Sequence, residues 1–205
     1  MVVRGRPRNF DRKIALERAM ELFWERGYRG TTLTDLTTAL GVNRPSMYAA
    51  FGNKEALFRE AVTLYSDNLR IPVERALRGE STTRAAIAKT LHTYAEAFTE
   101  PGTPLGCLVV LSATDGPAHD DPLREFLTEL RGSLQAGFRL RLQLAVREQE
   151  IPDTTNIATL AAYLGTVVFG MAIQARDGAT YPDLIATADL AMTVFDTGCQ
   201  HADRR

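Results

Sequence analysis

Between Thr32 and Asn53 the chain punctuates itself so tightly that only two short helices fit, and this limits the fold more than any other stretch. Thr32, with Asp35 three residues on, forms a capping box that opens a helix through Leu33, Leu36, Ala39 and Leu40. Gly41 ends it, Asn43 caps the next, and Pro45 is tolerated in that helix's first turn, where no helical bond is lost. Gly52 and Asn53 stop the chain again. Helices this short are marginal alone, so the second must serve something other than core building. A helix, a three-residue turn with glycine, and a short second helix with a polar start make the helix-turn-helix plan. In that plan the second helix enters the DNA major groove by its N-terminal residues. A groove about 12 Å wide accounts for the brevity.

The side chains of the second helix divide accordingly. Met47 and Phe51, with Val42 in the turn, are expected to pack on Leu36, Leu40 and Phe23, leaving Arg44, Ser46, Tyr48, Ala49 and Ala50 outward. Arg44 suits a guanine edge, Ala49 or Ala50 a thymine methyl, and Ser46 and Tyr48 phosphate oxygens. Lys54 adds charge beside the N-terminus of the following helix, where the dipole already favours phosphate. In "RGRPR", Arg4, Arg6 and Arg8 form a basic arm over residues 1–9 that can follow the backbone or enter a narrow minor groove; a solvated tail is the plainer alternative.

Charge agrees with that division. The 205 residues carry a net charge of −1, yet residues 1–60 hold 11 Lys and Arg against 7 Asp and Glu, which leaves 13 against 18 in the remainder. A basic head on an acidic body points to an anionic partner for the head. Cys107 and Cys199 are far apart and lack metal-ligand spacing, so a reducing, cytoplasmic setting is expected, with no metal and no cofactor. The uncharged run 154–175 is long enough for a bilayer but contains several Thr, Asn, Tyr and Gln side chains. It reads as a helix buried by protein, with no membrane partner.

No strand or repeat signature appears, and the expected class is all-α, with about nine helices. Asp11 caps a first helix that ends at Gly27 as a left-handed residue. Asn53 opens a long helix carrying Leu57, Phe58, Ala61, Val62 and Tyr65. Further helices are expected near 81–99, 105–115, 122–149, 156–176 and 181–198, separated by turn-rich segments. Residues 1–52 then form a helix-turn-helix DNA-binding domain, and 53–205 a larger helical effector-binding and dimerisation domain.

The segment "IALERAMELFWERGYRGTTLTDLTTALGVNRPSMYAAFGNKEALF" closely resembles the DNA-binding domain of TetR/AcrR-family transcriptional regulators, with the family's spacing throughout. The resemblance implies an all-helical homodimer, usually a repressor, whose variable body binds a small-molecule effector and dimerises through the last two helices. By position it assigns Arg44, Pro45, Ser46 and Tyr48 to the recognition helix, Thr32 and Thr34 to the start of the supporting helix, and Lys54 to a phosphate-contacting lysine. After Tyr48 this sequence departs from a common pattern, since Ala49 and Ala50 replace larger aromatic or histidine side chains. Phosphate anchoring there is expected to be weaker.

The last two helices are apolar over more than one face, which fits a two-fold four-helix interface. Two recognition helices about 34 Å apart then predict a near-palindromic operator. Tyr65, Tyr94, Phe98, Phe126 and Phe138 fall on helices that surround the body's core; they read either as core or as the wall of an apolar effector pocket. Cys107, in "PGTPLGCLVVLSA", falls in the first turn of a predicted helix, where free amides favour a thiolate, although the apolar residues after it favour burial. It reads as an inert core residue or, alternatively, as an oxidant or electrophile sensor. An enzyme built on Cys107 with His92, His119 or His201, or on Asp120 and Asp121, lacks motif spacing. A pure protein-interaction module leaves the basic head unexplained.

Overall fold

The computed structural model describes residues 11–112 and 122–200. Among them are nine helices and no strand. The N-terminal unit is α1 (Arg12–Gly30), α2 (Leu33–Leu40) and α3 (Arg44–Phe51). Then come α4 (Lys54–Gly79), α5 (Thr83–Phe98), α6 (Leu108–Leu111), α7 (Pro122–Arg147), α8 (Ile157–Arg176) and α9 (Tyr181–Gln200). Bounds expected from turn chemistry agree to within two residues for α5, α7, α8 and α9.

The caps act as the sequence suggests. Asp11 accepts from the Lys13 and Ile14 amides. Thr32 and Asp35 bond reciprocally at the start of α2, and Asn43 and Asn53 accept from the third residue of α3 and α4. Gly41 adopts φ +67°, a left-handed conformation that costs glycine nothing. Two boundaries differ. Gly27 breaks α1 at φ +72° and ψ 171°, outside the left-handed helical region, and one further turn follows it. That turn seats Tyr28 beside Phe23 and Phe58. The helix expected from residue 105 begins only at Leu108, because Gly106 has φ +82° and Cys107 is extended. Cys107 is therefore the residue before the first turn, not within it. Residues 113–115 of that expected helix lie outside the described residues.

One continuous apolar core runs from Phe23 and Phe58 in the head to Leu164, Leu184 and Phe195 in the body. α4 is shared. It packs on α1 and α3 of the head and on α5 and α7 of the body. It continues through Pro72, which cannot donate to the Asn68 carbonyl. The contact that joins head to body most directly is Trp24 of α1 on Tyr65 of α4, edge to face at 4.7 Å between ring centroids. Arg176, at the end of α8, also donates to the Glu25 carbonyl of α1. α8 is long and apolar enough to cross a bilayer, but it packs on α5, α6, α7 and α9 and buries Leu164, Val168, Met171 and Ala172 completely. Only this one face is buried; Ala158, Ala162, Thr166 and Ile173 are exposed, so α8 is less enclosed than its uncharged sequence suggests.

Candidate functional site

The face of α3 follows from its anchoring. Met47 and Phe51 are buried, while Arg44, Pro45, Ser46, Tyr48 and Ala49 are exposed and Ala50 is half-buried. Tyr48, at 43% exposure, is too open to belong to the core. Arg44 donates to the Thr34 hydroxyl at 3.3 Å, so the side chains expected at the starts of α2 and α3 meet. Thr32 is exposed, and its hydroxyl is committed to the capping box.

Lys54 begins α4 with its ammonium 4.3 Å above the Tyr28 ring. Burial lowers its pKa. Tyr28 thus aims the lysine, a role sequence reading missed; the signal available was an aromatic residue just after Gly27. Arg12 was also missed. Its guanidinium lies 4.6 Å from the Phe51 ring, donates to the Ala50 carbonyl at 3.2 Å and pairs with Glu60 at 2.6 Å. This ties the end of α3 to α1 and α4. Arg4, Arg6 and Arg8 lie outside the described residues.

The body contains a cavity of about 540 Å³ between α4, α5, α7 and α8. Tyr65, Tyr94, Cys107 and Phe138 line it; Phe98 and Phe126 do not. Phe98 is buried and packs on Tyr94, with ring centroids 5.5 Å apart. Phe126 carries the Arg59 guanidinium 5.0 Å above its ring. Apolarity alone does not distinguish a wall residue from a core residue. Ser66, Arg131 and Arg141, which also line the cavity, were missed. Arg131 was legible in principle, since it interrupts the apolar stripe Leu127, Leu134 and Phe138 at helical spacing.

Cys107 is buried, and burial raises its thiol pKa; the Tyr65 hydroxyl and the Val110 and Val109 amides draw it back only in part. The thiolate expected from a helix N-terminus is therefore disfavoured, and so is the sensor reading that rests on it. The reason is burial, which outweighs the α6 amides that do reach the thiol. His92 gives Cys107 no imidazole, because it faces Asp189 of α9 at 3.1 Å. His119, His201, Asp120 and Asp121 lie outside the described residues.

Two family models match the chain. "Bacterial regulatory proteins, tetR family" covers residues 15–61, and "Tetracyclin repressor-like, C-terminal domain" covers 83–184. The HTH-type transcriptional repressor ComR of Escherichia coli K12 is 33% identical over 94% of this chain and 92% of its own length. The chain belongs to the TetR family of transcriptional regulators. Among solved members of the TetR family, a cysteine-substituted form of CifR with 26-bp double-strand operator DNA has 38% identity. It covers 93% of this chain and all of its own, with a TM-score of 0.88. A putative TetR regulator from Rhodococcus sp. RHA1 is 36% identical, covering 89% of this chain and 97% of its own at a TM-score of 0.59. The family's N-terminal match runs from α1 into α4 and so contains the whole outer row of α3.

Proposed function

We propose that the chain is a cytoplasmic, effector-released repressor that binds a near-palindromic operator as a homodimer. The observation that carries this reading is the exposed row Arg44, Pro45, Ser46, Tyr48 and Ala49 on a helix anchored from behind by Met47, Phe51 and Arg12. Arg44 is the base-reading side chain, Tyr48, Ser46 and Lys54 hold phosphates, and Ala49 meets a thymine methyl. Thr34 orients Arg44, Thr32 starts α2, and Arg4, Arg6 and Arg8 supply the arm. Residues 1–52 read DNA, and 53–205 bind effector and partner.

The two-fold contact runs through α8 and α9, where Ile173, Leu190 and Val194 stand exposed beside a packed inner face. Release follows from the shared helix. Tyr65 touches the cavity on one side and Trp24 on the other, so a ligand that favours one packing of the cavity shifts the head through α1 and α4. Couplings of this kind are worth about 1–3 kcal/mol, and the ligand must distinguish the two states. The test is a gel-shift titration against duplex DNA upstream of the chain's own gene. Saturable binding by the wild type that Arg44→Ala weakens at least about five-fold supports the reading; equal binding to unrelated DNA contradicts it.

A further inference from the structure

The cavity wall is hydrocarbon over most of its area but holds one half-buried cation that has no counter-ion among the described residues. Leu69, Leu77, Leu134, Leu144 and Phe169 supply the apolar surface. Arg131 of α7 stands among them on the stripe that faces the core. One terminal nitrogen donates to Thr128 Oγ1 at 3.0 Å; the other is shut off from solvent and has no hydrogen-bond partner. No carboxylate pairs with it among the described residues. The other arginines of the wall differ. Arg141 also has a buried Nε without a hydrogen-bond partner, but its charge is met by Glu148 at 3.7 Å and Glu150 at 3.4 Å; Arg70 pairs with Asp67 at 3.5 Å and Glu74 at 3.1 Å, and Arg78 is exposed.

A half-buried guanidinium with an unmet N–H is costly to fold, and the cost is recovered when an acceptor arrives. A neutral hydrocarbon would leave that N–H unmet. A cation would be repelled, and a multiply charged anion would exceed a single uncompensated guanidinium. One planar carboxylate matches the guanidinium fork in both charge and shape. Arg59 stacks on Phe126, and Gly137 lies against Leu77, so α4 and α7 run side by side in the same sense. Arg131 therefore lies toward the head, near Tyr65 and Cys107, and Leu77 and Leu144 lie toward the far end. The volume is within the range that encloses drug-sized molecules.

We propose that the ligand of this cavity is an elongated apolar molecule ending in a single carboxylate, which pairs with Arg131 while its chain lies along the leucines. The inference rests on the effector reading of the same cavity. Calorimetric titration of the full-length protein with decanoate, decanol and methyl decanoate tests it. Decanoate is expected to bind at least about ten-fold more tightly than either neutral analogue. Arg131→Gln is expected to remove that preference and Arg131→Lys to keep part of it. Equal affinities for the three compounds in the wild type, no binding of decanoate, or a preference that survives in Arg131→Gln overturns the proposal, and the wild-type comparison requires no variant to fold. Operator release, followed by fluorescence anisotropy, separates the two readings. Carboxylate-selective binding with no release supports the ligand class and overturns the effector reading. Release by decanol and decanoate alike supports the effector reading and overturns the ligand class.

Discussion

Arg44 and Lys54 share a charge but occupy different settings, and their variants should differ in kind. Arg44 stands free on the outer face except for its bond to Thr34, so it can form paired bonds to a base edge. Arg44→Ala should weaken operator binding by about 1–3 kcal/mol and relax sequence preference at the bases it reads, measured by anisotropy on a panel of operator variants. Lys54 rests on the Tyr28 ring at the start of α4, which suits a point contact to phosphate. Lys54→Gln should weaken binding to all duplexes alike and lower the salt slope by about one. The exposed side chains of α3 were legible because alternation with Met47 and Phe51 at helical spacing decides which residues face out. Tyr28 and Arg12 are not legible in the same way, since each acts through a partner distant in sequence. Asp35 gives the residue scale a pH signature. The Thr32 hydroxyl and then its amide hold the Asp35 carboxyl below the ordinary carboxylate range. A depressed folded pKa contributes stability above the unfolded value that is lost as pH falls through the folded one. Thr32→Ala should therefore lower stability near neutrality. The deficit should shrink below the usual aspartate range in acid-titrated urea melts.

Among the elements, α6 and the loop before it show what punctuation can and cannot reveal. The long helices were legible because Gly, Pro and Asx clusters bracket them, but α6 is set by tertiary packing. Gly106 turns the chain against α8, where a Cβ would lie 2.5 Å from the Ala172 carbonyl oxygen. Gly102 shares a positive φ, +86°, but has nothing within 4 Å. Gly106→Ala should lose at least about 2 kcal/mol of stability from strain plus the clash, and Gly102→Ala should lose the strain alone. Urea midpoints for the two variants separate these effects. Equal losses would mean that the loop, not α8, sets the position of Cys107. α4 matters for another reason, because it is wall for the cavity and floor for α3 at once.

For the whole molecule, the proposed function depends on pairing two heads at one spacing. Leu190, 68% exposed on α9, lies one turn from the exposed Val194 on the face proposed for the two-fold contact. Leu190→Asp should shift the protein from dimer to monomer in light-scattering chromatography and reduce operator affinity with it, while leaving the fold intact by circular dichroism. A dimer that persists in Leu190→Asp would move the interface elsewhere. The most direct test of the central claim is a hydroxyl-radical footprint on a duplex selected from a random pool by the wild-type protein. A pair of α3 helices predicts two protected patches on one face of the duplex, centred one helical turn apart, about 34 Å, with both weakened in Arg44→Ala. A single patch, or two that are indifferent to Arg44, would contradict it.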